Sequence, residues 1–186
     1  MKIEESKVLV VGTGVSGIAA AELLLKKKID TVLFDVNKEL DLEKFYAKAP
    51  ELKNVPMILG ELTEEQMHEF GVAVLSPGVP TDLPMVERLR AQNVAIWGEI
   101  ELAYHFGKGK LIAITGTNGK TTTTALLGEI MEHVKDDVKA VGNIGIPYTS
   151  VADETKEDTV TVAEISSFQL ETAVEFKPKV TAILNI

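Results

Sequence analysis

The sequence contains no cysteine. Disulfide stapling and thiolate catalysis are therefore excluded, and the composition fits a reducing, cytoplasmic setting. Long apolar runs are also lacking: none approaches the ~20 residues that a bilayer-spanning helix needs, so no membrane insertion is expected. The first residues do not read as a secretory signal. Glu4 and Glu5 precede a short apolar run, which Gly12, Thr13, Gly14, Ser16 and Gly17 interrupt before Glu22. Positive charge is scarce. Lys and Arg number 19 against 28 Asp and Glu, a net charge of −9 that disfavours broad binding to nucleic acid or an anionic membrane. Any phosphate site must then be local, built from backbone amides and single lysines. There is no internal repeat with a period of about 20–50 residues and no low-complexity tract. Histidine is sparse, and His68, His105 and His133 fall in helical stretches away from the glycine-rich loops, which suits surface or packing roles.

What remains is an ordinary soluble composition, 45% hydrophobic and 25% charged over 186 residues, enough for one large domain or two small ones. Lys7–Val11 is a short β-branched run of the kind buried on both faces of a parallel sheet. Gly12-Thr-Gly-Val-Ser-Gly17 follows and matches G-x-G-x-x-G, and Ile18–Lys28 has helical apolar spacing. Thr31–Phe34 reads as a second strand with Asp35 at its end, close to the ~20 positions that separate a dinucleotide fingerprint from its ribose-binding acid. Further alternation is expected: a helix at 40–49, a strand at 57–59, a helix starting at Thr63, a strand at 72–75, a helix from Asp82 to Leu89 and a strand at 94–96. Ser76-Pro-Gly78 closes the 72–75 strand, at the edge where open α/β sheets take ligands. The fold class expected for this part is an α/β, Rossmann-like open sheet, with a boundary at Trp97-Gly98.

Beyond a connecting helix at 99–106, the apolar run Leu111–Ile114 stops at a loop carrying Gly116 and Gly119, then Lys120, four threonines and an apolar-periodic helix. Strand, glycine loop, Lys-Thr and helix is the order a triphosphate cradle requires. Glycines let amides crowd the phosphates, the helix start adds positive potential, Lys120 adds charge, and the Thr121 hydroxyl suits Mg²⁺. The strict pattern would need glycine where Ile114 stands; the near glycine is Gly116. A plain turn is the bland alternative. Downstream, Val138–Val141 is a strand leading into Gly142–Pro147, with Asn143 and Gly145 as turn formers. Thr159–Ala163 is a strand delivering Glu164, placed to hold Mg²⁺, with an ordinary surface carboxylate as the alternative. Ser166 or Ser167 caps the next helix, and 180–184 is a final strand. A parallel strand with no following crossover points to a chain that continues in a longer enzyme. By themselves these motifs leave two other readings open: an NAD(P)-dependent oxidoreductase resting on Gly12–Gly17 and Asp35, and a non-catalytic nucleotide-binding module.

Thr115-Gly-Thr-Asn-Gly-Lys-Thr-Thr122 resembles the ATP loop of the Mur ligases and of folylpolyglutamate synthases, the latter usually carrying Gly-Ser after the lysine. Gly142-Asn-Ile-Gly145, Glu164-Ile-Ser-Ser-Phe-Gln-Leu170, Ser76-Pro-Gly78 and Trp97-Gly-Glu-Ile-Glu-Leu102 resemble the D-glutamate-adding branch of the Mur ligases, across the whole chain. The resemblance implies an ATP-dependent amide ligase acting on UDP-N-acetylmuramoyl-L-alanine and D-glutamate in peptidoglycan precursor synthesis, monomeric and using ATP and Mg²⁺. Residues 1–98 would be a UDP-binding domain and 99–186 the first, truncated part of a P-loop-type ATP-binding domain, with the C-terminal domain beyond. ATP would lie on Gly116, Thr117, Asn118, Gly119, Lys120, Thr121 and Thr122, and metal on Thr121 and Glu164. The catalytic set would be Lys120, Asn143 and Glu164. The UDP-linked substrate would meet Val15, Ser16, Asp35, Val36, Asn37, Ser76, Pro77, Gly78 and Asn143. Some relatives carry Thr-Arg where Val36 and Asn37 stand. An Asp-His motif, a carbamylated lysine and the D-glutamate-associated domain are expected after Ile186. The 186 residues are accordingly expected to bind the UDP-sugar without catalysing ligation.

Overall fold

The computed structural model describes residues 2–142 and 145–186. The chain divides into two compact units, Met1–Glu99 and Ile100–Ile186. No helix among the described residues is long and apolar enough to cross a membrane.

The first unit alternates strand and helix: β1 (Val8–Val11), α1 (Val15–Lys26), β2 (Thr31–Asp35), α2 (Leu42–Lys48), β3 (Met57–Leu59), α3 (Glu64–Met67), β4 (Val72–Leu75), α4 (Pro84–Ala91) and β5 (Ala95–Gly98). Its five strands lie in the order β3-β2-β1-β4-β5, every neighbouring pair parallel. The order reverses between β1 and β4, which makes the carboxyl end of β1 the topological switch point. All four residues of β1 are buried, as are all four of β4. Leu9 and Val11 share a core with Val32, Phe34, Met67, Val86 and Leu89, under α3 and α4. The opposite face receives α1, whose Ala19, Ala20, Ala21, Leu23 and Leu24 are buried. Continuous apolarity in the strands thus reflects cover on both faces.

Several expected boundaries shift for local reasons. Helix α1 stops at Lys26 rather than Lys28: Lys28 takes a left-handed φ of 59°, and the Ile29 amide donates to Leu24 O at 3.0 Å. Asp82 does not open α4. Leu83 is its N-cap and Pro84 fills the first helical position, where a missing N–H costs nothing. Asp41 caps α2 through the Lys44 amide, and Thr63 with Gln66 closes a capping box on α3. His68 and His133 are C-caps rather than helix-interior residues. Short 3-10 turns at Ile3–Glu5, Pro50–Asn54 and Ala152–Glu154 were not expected from the pattern.

Helix α5 (Glu99–Phe106) opens the second unit and is followed by β6 (Lys110–Thr115), α6 (Lys120–Glu132), β7 (Val138–Gly142), α7 (Tyr148–Val151), β8 (Val160–Glu164), α8 (Ser167–Leu170) and β9 (Val180–Ile183). The sheet order is β7-β8-β6-β9, again wholly parallel. Ile114, Val160 and Val162 form the core under α6, joined by Leu127 and Met131 from that helix. The β8 strand runs one residue further than expected, so Glu164 is its last member rather than the residue after it.

Candidate functional site

The carboxyl edge of the first sheet gathers the predicted residues by register alone. Val11 is aligned with Phe34 on β2 and with Leu75 on β4. The next residue of each strand is therefore at the same edge: Gly12, Asp35 and Ser76. Backbone bonds seal that level, with Gly12 N donating to Phe34 O at 2.8 Å and Ser76 N to Val11 O at 3.0 Å. Gly17 has to be glycine because a Cβ there would lie 1.9 Å from Gly12 O, on rigid backbone. This close packing of helix on turn brings α1 directly out of β1. Gly14 is the helix N-cap and no side chain caps it, so the first amides of the helix, at Val15 and Ser16 among them, lack intrahelical partners. Val15 is exposed at this start, and Val36 and Asn37 are exposed just past β2.

Asp35 is not a free carboxylate. Its Oδ2 accepts both the backbone N–H of Thr13, at 3.1 Å, and the Thr13 hydroxyl, while Oδ1 accepts the Asn37 amide at 3.0 Å. A cleft of about 240 Å³ opens beside it, lined by Gly12, Asp35, Val36, Gly78, Val79, Pro80, Leu83 and Met85. Ser76 contributes its position under the turn: its Oγ would stand 2.7 Å from a Cβ on Gly12. Of Ser76, Pro77 and Gly78, only Gly78 lines the cleft.

In the second unit, Ile114 of β6 is aligned with Glu164 of β8, and Glu164 with Gly142 of β7. Glu164 is 1% exposed, a buried acid at the strand end beside the glycine loop. Gly119 is the N-cap of α6 with a left-handed φ of 83°, a conformation other residues reach only under strain, and again no side chain caps the helix. Lys120 begins the helix and its Nζ donates back to Gly116 O at 2.7 Å and Thr117 O at 3.3 Å, so the ammonium lies across the loop. Thr117, Asn118, Thr121 and Thr122 are exposed. A cavity of about 450 Å³ is lined by Gly116, Thr117 and Lys120 together with Ser166, Ser167 and Phe168 from the start of α8 and Ile183 and Asn185 from the end of β9. Ser166 is the α8 cap: its Oγ accepts the Gln169 amide at 3.2 Å and Gln169 Oε1 accepts the Ser166 amide at 2.9 Å.

Asn143, expected to orient substrate, lies outside the described residues. Three residues were missed by the sequence reading. Asn185 clamps the glycine loop: Oδ1 accepts the Asn118 amide at 2.9 Å, Nδ2 donates to Asn118 O at 3.0 Å, and its carbonyl accepts the Thr117 amide at 3.3 Å. Thr13 holds Asp35. Glu101, inside the Trp97–Leu102 run already singled out, is buried and binds three backbone amides of the segment before β9. An Asn next to a β-strand end and a Thr within the glycine turn carry no local pattern that marks them.

The donor set can be tested against the implied metal. A threonine hydroxyl and a carboxylate are hard oxygen donors, which suits Mg²⁺. Among the described residues no cluster of three or more His, Cys, Asp or Glu could hold a metal unaided.

These features define a class: open, parallel α/β units in which a glycine turn leads from a strand end into an uncapped helix. The more specific assignment comes from comparison with known proteins. Residues 6–98 match the model of the MurD-like Mur ligase N-terminal domain, and residues 114–186 match the Mur ligase middle domain. The chain therefore belongs to the Mur ligase family. It is 55% identical over 180 residues to a UDP-N-acetylmuramoylalanine--D-glutamate ligase of Lachnoclostridium phytofermentans, covering 97% of this chain and 40% of that protein. It is 41% identical over 187 residues to the ligase of the same name from Clostridioides difficile, covering 100% of this chain and 41% of that one. Among solved structures, the UDP-N-acetylmuramate-alanine ligase of Thermotoga maritima superposes with a TM-score of 0.56 at 22% identity, over 96% of this chain and 41% of that one, a likeness of fold. The chain thus spans about two fifths of the length of the curated relatives it matches.

Proposed function

We propose that the chain serves an ATP-dependent ligase that joins D-glutamate to UDP-N-acetylmuramoyl-L-alanine in peptidoglycan precursor synthesis. Residues 1–98 are read as the UDP-binding domain, and 99–186 as the P-loop-type beginning of the ATP-binding domain. The observation that carries this reading is the convergence at one sheet edge of Lys120 on its glycine loop and buried Glu164, through the pairing of β6 with β8. A dinucleotide-only enzyme has no use for that pair, and none of the relatives described supports an oxidoreductase.

In the proposed reaction a substrate carboxylate oxygen attacks the γ-phosphorus of ATP, ADP leaves, and the amine of D-glutamate then displaces phosphate from the acyl phosphate. Two anions must approach, so charge neutralisation and alignment are the chief requirements. Lys120 and the amides of Gly116–Thr122 would hold the phosphates, and Asn143 would orient the muramoyl-alanine end. Mg²⁺, when bound, would supply charge neutralisation, with Thr121 and Glu164 offering oxygens to it. Val15 and Ser16 would present amides to the pyrophosphate of the UDP group. Asp35, Val36, Asn37, Ser76, Pro77 and Gly78 would border its nucleoside. A carboxylate has about four acceptor positions, and three on Asp35 are occupied, leaving one for ligand.

Titration calorimetry of the 186-residue chain tests the reading. UDP-N-acetylmuramoyl-L-alanine should bind and NAD⁺ should not; the reverse preference would refute it. Ligation itself is expected of a protein of the relatives' length. D-glutamate-dependent phosphate release by the 186 residues alone would contradict the assignment of ligation to a protein of that length.

A further inference from the structure

The hydrogen bonds around Asp35 have a consequence that the fingerprint pattern does not contain. In the usual reading, the acid at the end of β2 faces outward to a ribose. Here both donors of one residue in the glycine turn, the Thr13 N–H and the Thr13 hydroxyl, converge on Oδ2 of Asp35. The other oxygen is held by the Asn37 amide, within the turn that leaves β2. The carboxylate therefore ties the β1–α1 turn to the β2 exit, two backbone segments that carry residues bordering the same cleft.

We propose that Thr13 is a positioning residue, and that the Thr13–Asp35 latch sets the orientation of the glycine turn whose following amides receive the pyrophosphate. This rests on the UDP reading above. The physical case is one of pre-organisation. Gly12 is held against Ser76 and Val79, but Gly14 is exposed with nothing within 4 Å of a would-be Cβ, so packing fixes the start of the turn and leaves its outer part, on the far side of Thr13, unsupported. Two bonds to a charged acceptor supply what packing does not, and a bond to an ionised group is roughly twice as strong as a neutral one. The latch also uses most of the Asp35 acceptor capacity, so Asp35 acts on the ligand largely through the loop. The hydroxyl is the discriminating feature, since any residue at position 13 would keep the backbone donor.

The test compares Thr13→Val, which keeps shape and the N–H but removes the hydroxyl, with Thr13→Ser, which restores it. In calorimetry with UDP as probe, wild type and T13S should agree within about twofold, and T13V should bind about tenfold more weakly, because the released turn must be ordered when the ligand binds. T13V loses one part-buried charge-assisted bond in the free protein as well, so its melting temperature should fall by up to about 10 °C while it stays folded at the assay temperature, and T13S should match wild type. Equal UDP affinity in T13V and wild type, or T13S as weak as T13V, overturns the latch. Amide hydrogen exchange without nucleotide separates this from the underlying reading. Exchange of the two amides bonded to Asp35, at position 13 and at Asn37, should be faster in T13V than in wild type and T13S, and identical exchange in all three overturns the latch. If wild type binds no UDP while exchange follows the expected order, the UDP reading falls and the latch stands.

Discussion

Replacing Glu101 by glutamine should loosen the second unit far more than a surface substitution would. Glu101 lies on α5, is 1% exposed, and accepts three successive amides: Val174 at 2.9 Å and Phe176 at 3.0 Å on Oε2, and Glu175 at 2.7 Å on Oε1. Tyr104, one turn along the helix, packs edge-on against Phe176 with ring centroids 5.6 Å apart, and its hydroxyl donates to Lys177 O at 3.3 Å. Each hydrogen bond to a charged partner contributes about 1.5–3 kcal/mol, and a buried donor left facing another donor costs about 1–3 kcal/mol. Glutamine retains the shape but offers one acceptor oxygen. If that oxygen keeps Val174 and Phe176, the amide nitrogen meets the Glu175 N–H donor to donor, and the two surviving bonds lose their charge. Val174 and Glu175 are exposed, so water recovers part of the loss. The net expectation is about 2–4 kcal/mol. For a unit of this size, a kcal/mol shifts the melting temperature by about 4–8 °C, so a fall of roughly 8–32 °C is expected.

The assay is thermal melting of Glu101→Gln with hydrogen exchange of peptides across 171–179. Trp97, the sole tryptophan, belongs to the first unit and gives a control signal that should change little. Melting within about 2 °C of wild type, with protection retained at 174–176, would refute the reasoning. It would mean that the three amides find water as readily as the carboxylate.

Other perturbations have equally defined outcomes. Gly17→Ala forces a Cβ to within 1.9 Å of Gly12 O, so UDP affinity measured by calorimetry should fall at least tenfold, with a stability loss of about 2 kcal/mol or more; normal binding would contradict the observed packing. Lys120→Ala removes the ammonium that spans the loop and should weaken ATP binding about 10–100-fold without changing the melting temperature, whereas unchanged affinity would remove Lys120 from the phosphate site. Burial, and secondarily the nearby Glu51, hold the Glu22 carboxyl above the usual range, with Lys26 opposing. The folded state therefore binds the proton more tightly, and stability falls as pH rises from the ordinary carboxylate value through the raised one. Glu22→Gln should then melt above wild type at neutral pH and lose that advantage in acid; a pH-independent difference would reject it.

The edge residues of both sheets were legible because each follows a strand whose apolar run is unmistakable. Val8–Val11 and Val72–Leu75 are buried at every position, and such runs leave little freedom as to where Gly12 and Ser76 fall. The α8 cap was legible only as Ser166 or Ser167; in the fold it is Ser166, with Gln169 three residues on closing a capping box. Asp82 misled because Ser, Asp and Asn favour caps in general, but Pro84 pre-sets the first helical turn and moves the start by two residues. The Glu101 clamp could not be read from local pattern at all: its partners are 73 to 75 positions away, and the segment they occupy carries no motif. The same is true of Asn185, whose partners on the loop, Asn118 and Thr117, are 67 and 68 positions earlier. The order β7-β8-β6-β9 is likewise a long-range property, since every strand of that sheet has similar apolar content.

The helix starts bear on how so acidic a chain would hold the polyanions of the proposed reading. Three short helices have their first amides satisfied by side chains: α2 by Asp41, α3 by Thr63 and α8 by Ser166. Helix α4 instead begins with Pro84, which removes a donor outright. The two longest helices depart from this. Both α1 and α6 have glycine N-caps without a capping side chain, and both follow directly from the carboxyl ends of central strands. A capping side chain would occupy amides at the point where the helix dipole is most favourable to an anion, at a gain of only about 1 kcal/mol. Omitting it concentrates positive potential where phosphate would sit and leaves the net charge of −9 to keep other polyanions away from the remaining surface. On this view, adding a cap should stabilise and impair together. Gly14→Asp, at an N-cap with extended φ and open space around it, should hold or raise the melting temperature while abolishing UDP binding. A variant that is stabilised and still binds UDP like wild type would show that the bare amides of α1 are not where the pyrophosphate goes.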